Sequence, residues 1–175
     1  MPHPENAATQ QHGLDGYAPI GSGRPGTGYR TLIANLSEQL KTITGFAGVT
    51  LQPNSGAAGE YTGLRIIRSY LESIGQGHRN LVLIPASAHG TNPASAVQAG
   101  YQPLTCACDE HGNVDLNDLR EKAEANRDNL AALMITYPST HGIFEEEIAE
   151  ICQIIHACGA SRIWTGPTWN RPGRT

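Results

Sequence analysis

Three short stretches hold the residues that could do chemistry: Gln52-Pro53-Asn54-Ser55-Gly56-Ala57-Ala58-Gly59-Glu60, Ser87-Ala88-His89-Gly90-Thr91-Asn92-Pro93 and Thr136-Tyr137-Pro138-Ser139-Thr140-His141-Gly142. In the first, glycines let the backbone come close to a ligand, and a following helix would offer free N–H groups to an anion such as phosphate. It is neither GxxxxGK[ST] nor GxGxxG, so an ordinary strand-to-helix turn accounts for it as well. In the second, His89 supplies an imidazole that could stack on a flat ring or exchange protons, although a lone loop histidine also serves structural ends. In the third, hydroxyls and His141 could bond a phosphate or a ring substituent; the alternative is a proline-glycine turn. Taken together, the three outline a pocket for a planar phosphorylated ligand.

Other chemistry is poorly supported. No serine sits in a Gly-x-Ser-x-Gly elbow, which argues against a serine hydrolase. Glu145, Glu146, Glu147 and Glu150 stand near a helix start, where acidic side chains favour the dipole, and are expected to be solvated. Cys106, Cys108, Cys152 and Cys158 fit neither a disulfide framework nor the CxxC pairs of a zinc site, so reduced, mostly buried thiols are expected. Cys106 and Cys108, two apart on an expected strand, would share a face as small core residues.

These loops need a scaffold, and the apolar pattern supplies one. Leu32, Ile33, Leu36, Leu40 and Ile43 recur at helical spacing up to Gly45, a natural stop. An extended segment over 49–52 and a helix over 56–74, with Leu64, Ile67, Leu71 and Ile74 on one side, should follow. The run Leu81 to Ile84 reads as a buried strand, followed by a short helix with Pro93 at its first position. A strand near 104–107, a turn at 110–113, a helix over 116–124 capped by Asp115, a strand over 130–136 and a helix over 145–158 complete the pattern. Alternating strands and helices predict an α/β domain with a mostly parallel sheet. The three loops would then lie at the carboxyl ends of its strands, where such sheets bind ligands.

Composition narrows the class further. The 175 residues suit one domain or part of one, and the net charge of −4, from 12 basic and 16 acidic residues without a basic run, argues against nucleic acid as a partner. No apolar stretch approaches a membrane span and the first residues lack signal-peptide order, so a soluble cytoplasmic protein is expected, with no membrane partner.

The segments LQPNSGAAGEYTGLRIIR, GHRNLVLIPASAHGTNPASA and MITYPSTHGIFEE resemble the carboxyl-terminal half of the glycine cleavage system P-proteins, the glycine dehydrogenases (decarboxylating), from about Gly28 to Ala160. This resemblance implies a partial large domain of the aspartate-aminotransferase type (fold type I), pyridoxal 5'-phosphate as cofactor and glycine as substrate. It also implies the lipoyl H-protein as partner, a homodimeric or heterodimeric assembly and a bacterial, cytoplasmic setting. By the same resemblance His89 matches the histidine that stacks on the pyridine ring, Ser55, Gly56 and Ala57 match the phosphate-side turn, and Thr136 with Ser139 line the cofactor pocket. The family's Asp-Gly-Ala-Asn-Met and His-Lys sequences are absent, and Lys41 and Lys122 are the only lysines. No catalytic residue is therefore expected in this chain, which would be an inactive internal fragment. A non-catalytic phosphate-ligand-binding module or an inert structural one is the alternative.

Residues 1–27 and 161–175 lack periodicity and are expected to be irregular. Shifted by one base, codons for Ile163 to Trp169 can spell Met-Asp-Gly-Ala-Asn-Met, and those for Ala18 to Gly28 can spell the family's entry to the first helix. A frameshifted leader and tail around a domain over 28–160 are the resulting expectation. Loss of later strands would also leave an apolar sheet edge uncovered and the chain poorly soluble.

Overall fold

The computed structural model describes residues 27–166, in two compact units divided between Gln52 and Pro53. The first holds helix α1, Thr27–Thr44, which Gly45 ends at φ +72° while its N–H donates to the Lys41 carbonyl. Helical spacing correctly indicates this helix. The apolar side chains of this stripe are largely exposed: Leu32 by 59% and Ile43 by 60%. Residues 49–52, expected to be extended, form no strand.

The second unit runs α2 (Gly56–Ser73), β1 (Leu81–Pro85), α3 (Thr91–Gln98), β2 (Gln102–Cys106), α4 (Leu116–Ala125), β3 (Leu130–Thr136), α5 (Ile148–Ala157) and β4 (Ser161–Thr165). All strands are parallel, in the order β2-β1-β3-β4. Local chemistry explains the boundaries. Ser55 caps α2 by accepting the Ala58 N–H, and Asp115 caps α4 by accepting those of Asn117 and Asp118, so each supplies acceptors for otherwise unpaired first-turn donors. Pro103 is tolerated in β2 because that strand lies at the sheet edge, where one side of the ladder is unused.

β1 and β3 are buried on both faces and read as near-continuous apolar runs for that reason. Val82, Ile84 and Met134 pack with Leu64 and Leu71 of α2, Ala96 of α3 and Tyr101. On the opposite face Leu83, Leu133 and Ile135 pack with Leu119 and Ala123 of α4 and Ile151 and Ile155 of α5. At the amino end of the sheet, Arg79 donates through Nη1 to the carbonyls of Arg127 and Leu130, at 3.0 and 2.7 Å.

Three expectations change. Residues 161–165, expected to be irregular, form β4 because the exposed edge of β3 offers a row of backbone donors and acceptors, and Ala132 to Thr136 pair in register with Ser161 to Thr165. Glu145, expected to be solvated and helical, precedes α5, is 8% exposed and accepts the Val114 N–H at 2.7 Å. Burial lifts its carboxyl above the usual carboxylate range, against the pull of the Val114 and Glu147 N–H groups. Cys106 and Cys158 are buried, but Cys108 lies past the end of β2 and is only half-buried, as is Cys152. All four thiols are free. The readings of residues 1–26 and 167–175 lie outside the described residues. Among the described residues no helix is long and apolar enough to cross a membrane, and no group of three or more metal-ligating side chains occurs.

Candidate ligand cleft

The chain leaves β1 for β2 through α3 and returns past β1 to β3 through α4, so the sheet order reverses between β1 and β3. At such a reversal the connections diverge to opposite faces and open a crevice at the carboxyl ends of the strands. The loop after β1 carries His89, and β3 ends on Thr136. Sequence reasoning placed both residues at this edge, and the fold puts them at the carboxyl ends of neighbouring strands.

What joins them is Asn92, which sequence reasoning passed over. It lies in the first turn of α3, is 1% exposed, and donates through Nδ2 to the Thr136 hydroxyl at 3.1 Å and the Thr165 hydroxyl at 3.3 Å. The two threonine hydroxyls share a further hydrogen bond of 2.7 Å. Asn92 Oδ1 is buried and has no hydrogen-bond partner. An unmet buried amide acceptor is costly, which marks this as a place where a donor is wanted. Asn before Pro reads as a loop or helix entry, and nothing in the sequence signals its burial.

The Ser55-Gly56-Ala57 turn forms the start of α2, where the unpaired amides create an anion-favouring end. A side-chain carbon built at Gly56 meets nothing within 4 Å, so the space beside this turn is open. One turn later Glu60 accepts the Thr91 hydroxyl at 3.0 Å and the Ser95 hydroxyl at 2.9 Å. Glu60 thereby ties the α2 start to the loop carrying His89. Glu60, Thr91 and Thr165 are the other polar members that sequence reasoning missed; a Glu five residues after a capping Ser looks like an ordinary charge near a helix start.

His89 is exposed, and its Nδ1 lies 2.9 Å from the Thr91 hydroxyl and 3.2 Å from the Thr91 amide. The hydrogen bonds of Ser139 lie within its own turn. Its hydroxyl faces the amides of His141 and Ile143, both at 3.3 Å, and its backbone closes the same turn with Gly142 and Ile143. Neither lysine joins the cleft network. Lys122 Nζ donates to the Thr105 carbonyl and pairs with Asp118, each at 2.8 Å, while Lys41 pairs with Glu38 at 2.9 Å.

No family model matches the chain. Curated relatives do: it is 79% identical over 143 residues to the glycine dehydrogenase (decarboxylating) of Bacteroides fragilis and 76% identical over 143 residues to that of Bacteroides thetaiotaomicron. Each match covers 82% of this chain and 15% of the relative, so the chain spans a small part of the length of these proteins. Among solved structures it is similar to a glycine decarboxylase (P-protein) of the glycine cleavage system in inhibitor-bound form, with TM-score 0.71 and 16% identity over 92% of this chain and 34% of that one. It is also similar to Oryza sativa TDC with PLP and tryptamine, with TM-score 0.52 and 16% identity over 62% of this chain and 26% of that one. At these identities the structural likenesses speak for the fold alone, the α/β large-domain layout of fold type I. Across the four fifths of its length that match, the chain is similar to a part of the glycine dehydrogenases (decarboxylating).

Proposed function

We propose that the crevice at the carboxyl ends of β1 and β3 is the non-covalent part of a pyridoxal-phosphate site. In the whole protein that site would decarboxylate glycine and pass the aminomethyl group to the lipoyl group of an H-protein. The observation that carries the reading is the Asn92 bridge between the His89 loop and Thr136, in a chain whose relatives bear the decarboxylating name.

The residues present fit a planar phosphorylated group in two respects. The open amino end of α2 at Ser55, Gly56 and Ala57 suits a dianionic phosphate, and the unmet Asn92 Oδ1 beside the Thr136 hydroxyl suits a polar ring edge. His89 would lie against the ring face and limit its tilt, and Thr136 would hold a ring substituent. Ser139, whose hydroxyl accepts within its own turn and keeps a proton to donate, would line the pocket beside Thr136. Bound there, pyridoxal phosphate would supply the electron sink that lets carbon dioxide leave the α-carbon of glycine.

Covalent attachment is a different matter. An amine must reach the cofactor aldehyde, and the two lysines of this chain are engaged by Thr105 and Asp118 and by Glu38. In our reading the isolated chain binds without reacting, and covalent attachment, substrate turnover and partner belong to the longer relatives.

Titration of the chain with pyridoxal 5'-phosphate, followed by cofactor fluorescence, tests this. Saturable binding that dialysis reverses and His89→Ala weakens is expected, with no stoichiometric label on Lys41 or Lys122 after borohydride. Absence of saturable binding, or full labelling of either lysine, would overturn it.

A further inference from the structure

We infer that Glu60 is a positioning residue which, through the Thr91 hydroxyl, keeps the proton of His89 on Nδ1. The inference rests on the proposed role of His89 but concerns its protonation in the free chain.

A carboxylate only accepts, so each oxygen of Glu60 takes one hydroxyl proton: Oε1 from Thr91 and Oε2 from Ser95, the latter 4% exposed. With its single proton committed to Glu60, the Thr91 oxygen can only accept from His89. The 2.9 Å contact between His89 Nδ1 and Thr91 Oγ1 is then a hydrogen bond only if Nδ1 carries the proton.

A competing arrangement exists. The Thr91 amide, at 3.2 Å, could donate to an unprotonated Nδ1, which would put the proton on Nε2. Both bonds cannot form at once, since one needs a proton on Nδ1 and the other a lone pair. The shorter distance and the charge at the far end of the chain favour Nδ1–H···Oγ–H···carboxylate, because hydrogen bonds ending on an ionised group are the stronger kind.

Such a chain does for the imidazole what outer carboxylates do for metal-bound histidines: it settles the tautomer and the plane of the ring together. The ring is held against α3 while Nε2 remains its basic nitrogen. Glu60 lies 29 residues before His89 in the sequence, and only the packing of α2 on α3 brings them within one hydroxyl of each other.

Nitrogen-15 NMR of the imidazoles in the full chain at about pH 8.5, above the ordinary histidine range, tests this without any cofactor. The native chain and Thr91→Ser, which retains the hydroxyl, should both show His89 with a protonated Nδ1. Thr91→Val should move the proton to Nε2, and Glu60→Gln should shift the tautomer ratio toward Nε2–H by about tenfold, the scale of a charge-assisted bond. A native chain already on Nε2–H, or a Glu60→Gln chain indistinguishable from native, would overturn the inference. Because the measurement is made without pyridoxal phosphate, its failure and the failure of cofactor binding are read separately.

Discussion

Asn92 donates through Nδ2 to the hydroxyl of Thr136 across 3.1 Å, tying the first turn of α3 to the last residue of β3. This bond spans the point where the strand order reverses and links the two sides of the crevice. Thr165, at the end of β4, joins the same network.

Asn92→Ala should destabilise the sheet unit by about 2 kcal/mol, the scale of losing a buried amide together with its hydroxyl partners. Urea unfolding should show a lower midpoint with an unchanged slope, the sign of lost stability without a change in the surface exposed. No midpoint shift would mean that Asn92 contributes little to joining the strands.

Gly56→Glu should leave folding nearly unchanged, because the added side chain enters open space at a position that is already helical. Its carboxylate would sit among the α2 amides and compete for them. Thermal stabilisation by inorganic phosphate, which rises with ligand concentration when only the folded state binds, should be present in the native chain and lost in the variant. Equal stabilisation of both proteins would place any phosphate elsewhere.

Two carboxylates should tilt the pH profile in opposite directions. Burial raises Glu145, so its stabilising share is full below the ordinary glutamate pKa and is lost as pH rises through the folded value. The Lys122 ammonium, and then the Ala107 amide, lower Asp118, so its share is full above the ordinary aspartate pKa and is lost as pH falls through the folded value. Relative to native, Glu145→Gln should therefore gain stability as pH rises from about 4 to 7, and Asp118→Asn should recover stability as pH falls below about 4. Chemical unfolding at several pH values checks both signs; reversal of either contradicts the corresponding environment.

Thiol accessibility offers a separate check. Burial, with Cys108 and Asp118 adding to it, pushes the Cys106 thiol up to about 12, and Cys158 is also buried. Iodoacetamide at neutral pH should modify Cys108 and Cys152 in the folded chain, while Cys106 and Cys158 react only after denaturation, because the thiolate is the reactive form. Prompt labelling of Cys106 in the folded state would contradict the packing of β2 against α4.

Much of the fold was legible because it rests on short-range rules. The apolar run 130–136 is β3 to the residue, and the Asp115 cap and Gly45 stop stand where side-chain and backbone chemistry put them. Two misreadings share a cause. Glu145 was grouped with its charged neighbours, yet the fold brings the Val114 amide to it; Ser161 to Thr165 looked irregular, yet β3 presents an edge to pair with. In each case the partner is distant in sequence. The α1 stripe carries the same lesson inverted, since helical spacing identifies an apolar face but not what covers it.

By itself the amino-acid sequence determined the alternation of strands and helices, the parallel sheet and the three polar loops, because periodicity and capping act over a few residues. It also determined which side chains are available, with Lys41 and Lys122 as the only lysines. Only the tertiary structure decided that Asn92 is buried between Thr136 and Thr165, that Glu60 reaches His89 through Thr91, and that the hydrogen bonds of Ser139 stay within its own turn. Those relationships depend on the order of the strands and on which helices share a face, and both are settled by contacts between residues far apart in the chain.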